Sequence, residues 1–302
     1  MSETLVLRTA LGPYDHVRAL REGTVGSDRV RLNLVDDEPI IPSFRRMVRE
    51  LSFDVCEIAI VTLAQSHTYG KPITALPIVL SRRFHHKELV CNRESPLKGP
   101  EDLKGKRIGV RAYSQTTGVW VRGILQSEYG VDPTSITWVT EEGSHVEEYS
   151  DPPNVERVRP GDTLLDLLAS GGIDAAIGLG QAVSKDMRPV IPDPEDAASV
   201  WYRKTRIYPA NHVLGVKSEL LVQYPWLAQE LFELFTNAKQ HARAAATSAT
   251  PLTGPMRLVG DDPLPYGMAA NRRSIESLLE FTTAQALTPE TYRVEDLFAQ
   301  TC

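Results

Sequence analysis

The sequence lacks long apolar runs: in 302 residues no uncharged run exceeds 13 residues. A helix that spans a bilayer needs about 20 consecutive apolar residues, so we expect no membrane span and no membrane partner. A basic surplus is also absent, because 33 Lys and Arg stand against 39 Asp and Glu. Nucleic-acid-binding proteins carry a basic patch or stripe. The composition therefore gives no support for a nucleic-acid partner.

Cysteine is scarce as well. Cys56, Cys91 and Cys302 are odd in number and far apart, and no C-x-x-C pair is present. This pattern predicts free thiols rather than a disulfide framework. The amino terminus shows no basic segment followed by the about 7–15 apolar residues of a secretory signal. We therefore expect a protein of the cytoplasm.

Several common catalytic signatures are missing. The sequence contains no G-x-x-x-x-G-K-[ST] loop, no G-x-S-x-G elbow and no H-E-x-x-H pair. Gly178 and Gly180 follow a predicted strand, but Val183 occupies the third glycine position of a dinucleotide fingerprint. ATP-dependent and nicotinamide-dependent chemistry and the common hydrolase mechanisms therefore lose support.

The sequence does contain short β-type runs that alternate with helical patterns, which is typical of the α/β class. A segment rich in Pro, Gly and charge, 96–106, predicts a crossing between two lobes, and a Pro-rich passage precedes the return of the chain. We predict a discontinuous first lobe, 1–92 plus 214–302, and a second lobe, 93–213. A ligand cleft is expected between them.

The segment densest in chemical groups follows a predicted strand and contains Arg82, Arg83, His85 and His86. Guanidinium groups suit carboxylates, and a histidine can transfer protons near neutral pH. A solvated loop is the structural alternative. A metal site made by the two histidines and Glu57 is a further alternative, although no spacing here is diagnostic of a metal.

A second group lies between a predicted strand and a helix and comprises Arg111, Tyr113, Ser114 and Thr116. Hydroxyls and free backbone N–H groups at a helix N-terminus can bind an anion, and the guanidinium adds positive charge. In the structural alternative, Thr116 is only the N-cap of the helix.

Two further residues are candidates by their surroundings. Glu57 sits in an otherwise apolar strand, where an unpaired carboxylate is costly, so we expect it to pair with a cation or to act as a base. His212 opens a strand and is a candidate for the cleft, with a structural histidine as the alternative. No local pattern raises four other histidines above surface residues: His16, His67, His145 and His241.

With these segments identified, the chain resembles the 4,5-dihydroxyphthalate decarboxylase family, nearly from end to end. The more specific matches are Ser81-Arg82-x-Phe84-x-His86 and Trp120-Val121-Arg122-Gly123. The chain departs from the family at His85, where the family usually has Arg, and at Ala286, where it usually has Gly. Weaker matches include Tyr14-Asp15, Phe53-Asp54-Val55 with Glu57, Asp102-Leu103-Lys104-Gly105-Lys106, Gly172-Ile173-Asp174-Ala175, Tyr208-Pro209 with His212, and Pro225-Trp226.

The resemblance implies a two-lobed type II periplasmic-binding-protein-like fold and a carbon–carbon lyase of aromatic catabolism. The implied reaction is the non-oxidative decarboxylation of a hydroxylated, phthalate-type acid. Protonation of the ring carbon that bears the carboxylate provides the electron sink, with a para hydroxyl becoming a carbonyl, so no organic cofactor is required. The implied partner is a small aromatic carboxylate.

The resemblance also ranks the clustered side chains. It favours Arg82 and His86 over Arg83 and His85, with Arg82 holding a carboxylate and His86 protonating the ring carbon. The other roles fall to Arg111 for a carboxylate, Glu57 or His212 for the phenolic proton, and Tyr14 and Thr116 for positioning the ring.

One alternative from a different class is a solute-binding protein for an aromatic or other small organic anion, without catalysis, because one fold serves many functions. Another is a related cytoplasmic enzyme that acts on a different C–C or C–O bond. The sequence leaves open the substitution pattern of the substrate, a divalent metal requirement, and whether the chain forms a homo-oligomer.

Overall fold

Two β-sheets with flanking helices make up the computed structural model, which describes residues 4–245 and 257–300. Cys302 lies outside the described residues. The strands are β1 (Leu5–Ala10), β2 (Val30–Leu34), β3 (Val55–Ala59), β4 (Ile73–Arg82), β5 (Leu89–Asn92), β6 (Arg107–Val110), β7 (Thr137–Thr140), β8 (Val155–Arg157), β9 (Ala175–Ile177), β10 (Met187–Pro189) and β11 (Ala210–Lys217). The α-helices are α1 (Arg18–Arg21), α2 (Ile41–Glu50), α3 (Ile60–Thr68), α4 (Thr116–Tyr129), α5 (Leu164–Ser170), α6 (Pro194–Thr205), α7 (Ser218–Gln223), α8 (Leu227–Ala245), α9 (Met268–Ala284) and α10 (Val294–Leu297).

The first sheet has the strand order β2-β1-β3-β11-β4, and the second has the order β10-β5-β9-β6-β7-β8. In the first sheet β1 runs parallel to β2 and β3, whereas β11 is antiparallel to β3 and β4. The chain leaves this sheet after β4 and returns to it with β11. The predicted α/β class is therefore confirmed.

Sheet membership refines the predicted lobe boundaries at two places. The predicted first lobe includes β5, but this strand pairs with β9 and β10 of the second sheet. All of β11 pairs within the first sheet. The two crossings therefore lie between β4 and β5 and between β10 and β11, and the remaining lobe boundaries stay a prediction.

The central strand β3 is buried along its whole length, because β1 and β11 cover its edges and the core covers both faces. Its pairing with β11 places Ala59 opposite His212 and Glu57 opposite Leu214. Residues two apart on a strand share a face, so Glu57 and His212 are diagonal neighbours on one face of the sheet. The sheet register thus brings together two residues that are far apart in sequence.

Cys56 and Cys91 are free, buried thiols, as predicted. Within the described ranges, no helix is long and apolar enough to cross a membrane.

Candidate active site

A cavity of about 130 Å³ lies where strands of both sheets end. The segments after β3, β4 and β6 contribute to its wall, as does the start of β11. This is the edge at which ligands bind in open α/β sheets. The lining residues are Ile41, Phe44, Ala59, Thr62, Arg83, Arg111, Ala112, Ser114, Gln115, Thr116, Thr117, His145, Asn211 and His212.

Glu57 and His212 form a hydrogen-bonded pair at this cavity. The carboxylate is fully buried, and its Oε1 lies 2.6 Å from His212 Nδ1. Oε1 also accepts a hydrogen bond from the Tyr14 hydroxyl (2.6 Å), and Oε2 accepts one from the Gly12 amide (2.8 Å). Because His212 Nδ1 is hydrogen-bonded to Glu57, Nε2 is the ring nitrogen that can contact a ligand in the cavity.

These contacts determine the charge of Glu57. Burial alone raises the pKa of a carboxyl group. The hydrogen bonds from His212, Tyr14 and the Gly12 amide outweigh burial and lower the pKa of Glu57 below its ordinary value. The side chain is therefore a carboxylate, and it can stabilise a positive charge on the imidazole of His212.

Tyr14 lies behind this pair and is not one of the cavity-lining residues. Its ring stacks on His16 at a centroid distance of 5.3 Å. Burial and the charge of Glu57 raise the pKa of Tyr14. The hydroxyl therefore stays protonated and donates to the carboxylate.

Of the two adjacent arginines, Arg83 lines the cavity. Its Nη2 donates to Thr117 Oγ1 (3.1 Å) and its Nε donates to Glu88 (3.2 Å). Arg82 ends β4, and consecutive side chains of a strand point to opposite sides. The Arg82 guanidinium donates to Asn271 Oδ1 of α9 (2.9 Å) and to the carbonyl of Tyr208, whose ring it covers. Burial lowers the pKa of Arg82 to about 10.

The histidines of the same segment are buried and line no part of this cavity. His85 Nε2 lies 2.9 Å from Asn211 Oδ1, so it supports a lining residue from behind. Burial and the neighbouring Arg83 lower the pKa of His85 well below its ordinary value. His86 packs edge-on against Trp201, and neither of its ring nitrogens has a hydrogen-bond partner in the described part of the chain. Burial lowers the pKa of His86 to about 4.

Three residues of the second predicted group line the cavity: Arg111, Ser114 and Thr116. Thr116 is the first residue of α4, whose N-cap is Gln115 without a side-chain capping bond. The interpretation of Thr116 as the N-cap is therefore wrong. Its Oγ1 is buried and has no partner among the described residues, so it is available to a ligand.

Arg111 donates to the carboxylate of Glu142, which Arg45 also contacts. This cluster of two guanidinium groups and one carboxylate leaves a net positive charge beside the cavity. The remaining member of the predicted group, Tyr113, points elsewhere: its hydroxyl donates to the Gln285 carbonyl (3.3 Å), and its ring lies 4.1 Å from the Arg122 guanidinium.

His145 is a cavity residue that the sequence did not indicate. The expectation that it is a surface residue is wrong, because its exposed fraction is 7%. Nδ1 lies 3.0 Å from Thr62 Oγ1, and the ring packs edge-on against Phe44. His145 belongs to a loop without periodicity, and a lone histidine in such a loop carries no local signal. Phe44 of α2, Thr62 of α3 and Asn211 of β11 also line the cavity and were missed, because an uncharged residue within a helix or strand carries no local signal of a site.

Among the described residues, no group of three or more His, Cys, Asp or Glu side chains is placed to hold a metal ion. The alternative metal set is not assembled, because His85 contacts Asn211, His86 contacts Trp201, and Glu57 contacts His212.

The cavity thus combines a hydrogen-bonded carboxylate–imidazole pair with a cationic region. An imidazole next to a carboxylate is suited to proton transfer, and Arg83 and Arg111 are suited to binding carboxylates. The unpartnered Thr116 hydroxyl and the N–H groups of the first turn of α4 are suited to binding an anion as well.

The architecture matches a known class of two-lobed proteins. The periplasmic aliphatic sulphonate binding protein SsuA from Escherichia coli superposes with a TM-score of 0.61 over 100% of this chain and 94% of that chain, at 13% sequence identity. The predicted type II periplasmic-binding-protein-like fold is therefore confirmed.

Sequence relatives identify the family. A 4,5-dihydroxyphthalate decarboxylase from Comamonas testosteroni is 35% identical over 97% of this chain and 96% of that protein. A 4,5-dihydroxyphthalate decarboxylase from Pseudomonas putida is 35% identical over 66% of this chain and 82% of that protein. The chain belongs to the 4,5-dihydroxyphthalate decarboxylase family, which confirms the resemblance read from the sequence. No family model matches the sequence.

Proposed function

We propose that this protein is a non-oxidative decarboxylase that releases CO2 from a hydroxylated phthalate. The observation that carries the proposal is the Glu57–His212 pair, with 2.6 Å between carboxylate and imidazole, at a cavity that also contains Arg83 and Arg111. Both relatives named above bear the name of such an enzyme.

The proposed reaction begins with the substrate bound as a phenolate. The electron pair of the phenolate moves into the ring while the ring carbon that bears the carboxylate takes a proton from His212, and a carbonyl forms at the para position. The bond to the carboxylate then breaks, CO2 leaves, and its electron pair restores the aromatic ring and the phenolate. Solvent returns one proton to His212, so each turnover consumes one proton.

In this mechanism His212 is the general acid and Glu57 is its positioning partner. The carboxylate keeps Nδ1 protonated and stabilises the imidazolium, so Nε2–H is presented to the cavity. Tyr14 acts from behind this pair by donating to the carboxylate. Fixed groups of this kind stabilise charge without reorganising during the reaction.

The cationic side of the cavity binds the two carboxylates. We assign Arg111 and Arg83 to this role, together with the Thr116 hydroxyl and Ser114 at the start of α4. Fixing both carboxylates orients the ring, so that the carbon that loses CO2 faces His212.

The roles implied for Arg82 and His86 change accordingly. Arg82 supports α9 through Asn271, and His86 lies beneath Trp201, so we propose that both act through packing. His85 positions Asn211, and Tyr113 contributes through its contact with Arg122.

The proposed steps need a proton donor and fixed cations, and ring protonation itself supplies the electron sink. We therefore propose that the reaction uses no organic cofactor. A cytoplasmic location remains a prediction.

The proposal is tested by incubating the protein with 4,5-dihydroxyphthalate and related hydroxylated benzoates in D2O. We expect release of CO2 and a product that carries one deuterium at the carbon that lost the carboxylate. Repeating the assay after treatment with a chelator and after adding back divalent metal tests for a metal requirement.

Two outcomes would reject the proposal. Saturable binding of these acids without release of CO2 would favour the solute-binding alternative. CO2 release without deuterium at the vacated carbon would exclude ring protonation by a solvent-exchangeable acid.

A further inference from the structure

Hydrogen bonds connect the loop 142–148 of the second lobe to the helices α2 and α3 of the first lobe. Ser144 Oγ donates to Gln65 Oε1 of α3 (2.8 Å). Arg49 of α2 donates to the carbonyls of Ser144 (3.2 Å) and His145 (2.9 Å). Lys71 forms an ion pair with Glu148. These contacts hold the backbone of the loop in one place relative to the first lobe.

His145 is the residue of this loop that also lines the cavity. The Thr62 hydroxyl, 3.0 Å from Nδ1, fixes the rotation of the ring, and Phe44 packs edge-on against it at a centroid distance of 5.9 Å. Phe44 packs in the same manner against His212, at 5.0 Å. Both imidazoles therefore contact one aromatic ring, and Nε2 of His145 is left for the cavity.

The surroundings of His145 keep it uncharged. The charged groups that act on it are Arg111, Arg45, Arg49 and Glu142. Burial and the positive charge of Arg111 lower the pKa of His145 to about 3. A neutral imidazole in this position offers one directed hydrogen bond rather than a charge.

We propose that His145 donates a hydrogen bond from Nε2 to the ring hydroxyl oxygen of the substrate, the one para to the departing carboxylate. This inference rests on the proposed function. The carboxylates already have charged partners in Arg83 and Arg111, whereas the phenolate oxygen has none among the other lining residues assigned above. When Thr62 donates to Nδ1, the proton of the neutral ring is on Nε2, where it stabilises the phenolate.

The experiment compares His145→Leu, which removes the hydrogen bond, with His145→Gln, which keeps a donor. Ser144→Ala is the matched control, because it removes one interlobe contact of the same loop without touching the cavity, while Arg49 and Lys71 still hold the loop. For each variant, the dissociation constant for phthalate, which has no ring hydroxyl, is measured by calorimetry. Values of kcat/KM are measured with 4,5-dihydroxyphthalate, and thermal melting confirms that each variant is folded.

For His145→Leu we expect kcat/KM to fall roughly 10- to 100-fold, the effect of losing one hydrogen bond to the phenolate form in which the substrate binds, while phthalate binding changes less than about threefold. His145→Gln should recover most of the loss, and Ser144→Ala should resemble wild type in both measurements. Three results would overturn the inference: an unchanged kcat/KM in His145→Leu, an equal loss of phthalate binding, or a Gln variant as poor as the Leu variant.

Failure of the proposed function is distinguishable from failure of this inference. If wild-type protein binds hydroxylated phthalates without releasing CO2, the decarboxylase proposal fails. The contact is then tested by binding alone: His145→Leu should weaken binding of 4,5-dihydroxyphthalate and leave binding of phthalate unchanged. An equal effect on both ligands would reject the contact.

Discussion

The two sides of the cavity are built in different ways. On one side, Glu57 and His212 stand on paired strands of the first sheet, and the carboxylate is fully buried with all its partners inside the protein. On the other side, Arg111 and Arg83 follow strands, and their side chains are 27% and 44% exposed. In the proposed mechanism the buried pair is preorganised for proton transfer, whereas the partly exposed cations bind the ligand. Variants should therefore separate into those that change kcat and those that change KM.

After substitution of His212 itself, Glu57→Gln is expected to lower kcat the most. A neutral amide cannot stabilise the imidazolium of His212, so kcat should fall by about 10²- to 10⁴-fold with little change in KM. Tyr14→Phe removes only one hydrogen bond to the same carboxylate and should lower kcat by less than about tenfold. Steady-state kinetics of CO2 release measure both, and equal effects of the two variants would contradict the proposed role of the carboxylate.

A second effect should appear in KM. Arg111→Ala removes a hydrogen bond to a substrate carboxylate that contributes about 1.5–3 kcal/mol, so KM should rise roughly 10- to 100-fold. Arg45 contacts the same Glu142 and is not one of the cavity-lining residues, so Arg45→Ala serves as the control. A fall in kcat at unchanged KM for Arg111→Ala would contradict the assignment of Arg111 to substrate binding.

Adjacent arginines give a sharper version of the same test. Arg83→Ala should raise KM by about tenfold, whereas Arg82→Ala should lower the melting temperature and leave KM near the wild-type value, because Arg82 holds Asn271 and the Tyr208 carbonyl. The opposite pattern would support the ranking that the family resemblance implies.

The smallest kinetic effect is expected for His86→Leu. The imidazole makes no hydrogen bond to the described residues, so an apolar side chain should preserve kcat/KM within about threefold. The substitution should instead change how the free energy of unfolding depends on pH. With a pKa near 6.5 when unfolded and about 4 when folded, His86 destabilises the native state as pH falls from 6.5 to 4. Denaturant unfolding should show a pH slope smaller by about 1.4 kcal/mol per pH unit in the variant. An unchanged slope would contradict the buried, neutral state of His86.

Much of the fold was predictable from local patterns. The apolar run around Glu57 predicted the strand β3, and the alternation of β-type runs with helical patterns predicted the α/β class. The helix α3 was missed, because Ile60-Val61-Thr62-Leu63 continues the β-branched character of the preceding strand. The helix α6 was missed because Pro194 and the prolines that precede it indicated a linker. Pro194 in fact stands in the first turn of the helix, where proline is compatible with helical backbone.

The site was predictable in part: Arg83 and Arg111 follow predicted strands and line the cavity, and Glu57 violates its local pattern. Glu57 stands out in an apolar strand, and its need for a partner was correctly expected. The identity of that partner depends on the register of β3 and β11, which local sequence does not contain. His145 reaches the cavity through interlobe contacts of its loop, and these long-range contacts leave no periodic signal.

The central claim is that His212 delivers the proton to the ring carbon. The direct measurement is CO2 release by His212→Gln and His86→Gln at saturating 4,5-dihydroxyphthalate, with phthalate binding measured in parallel. We predict that His212→Gln loses at least about 10²-fold in kcat and binds phthalate like wild type, while His86→Gln stays within about threefold of wild type. Full turnover by His212→Gln together with loss of turnover in His86→Gln would contradict the account.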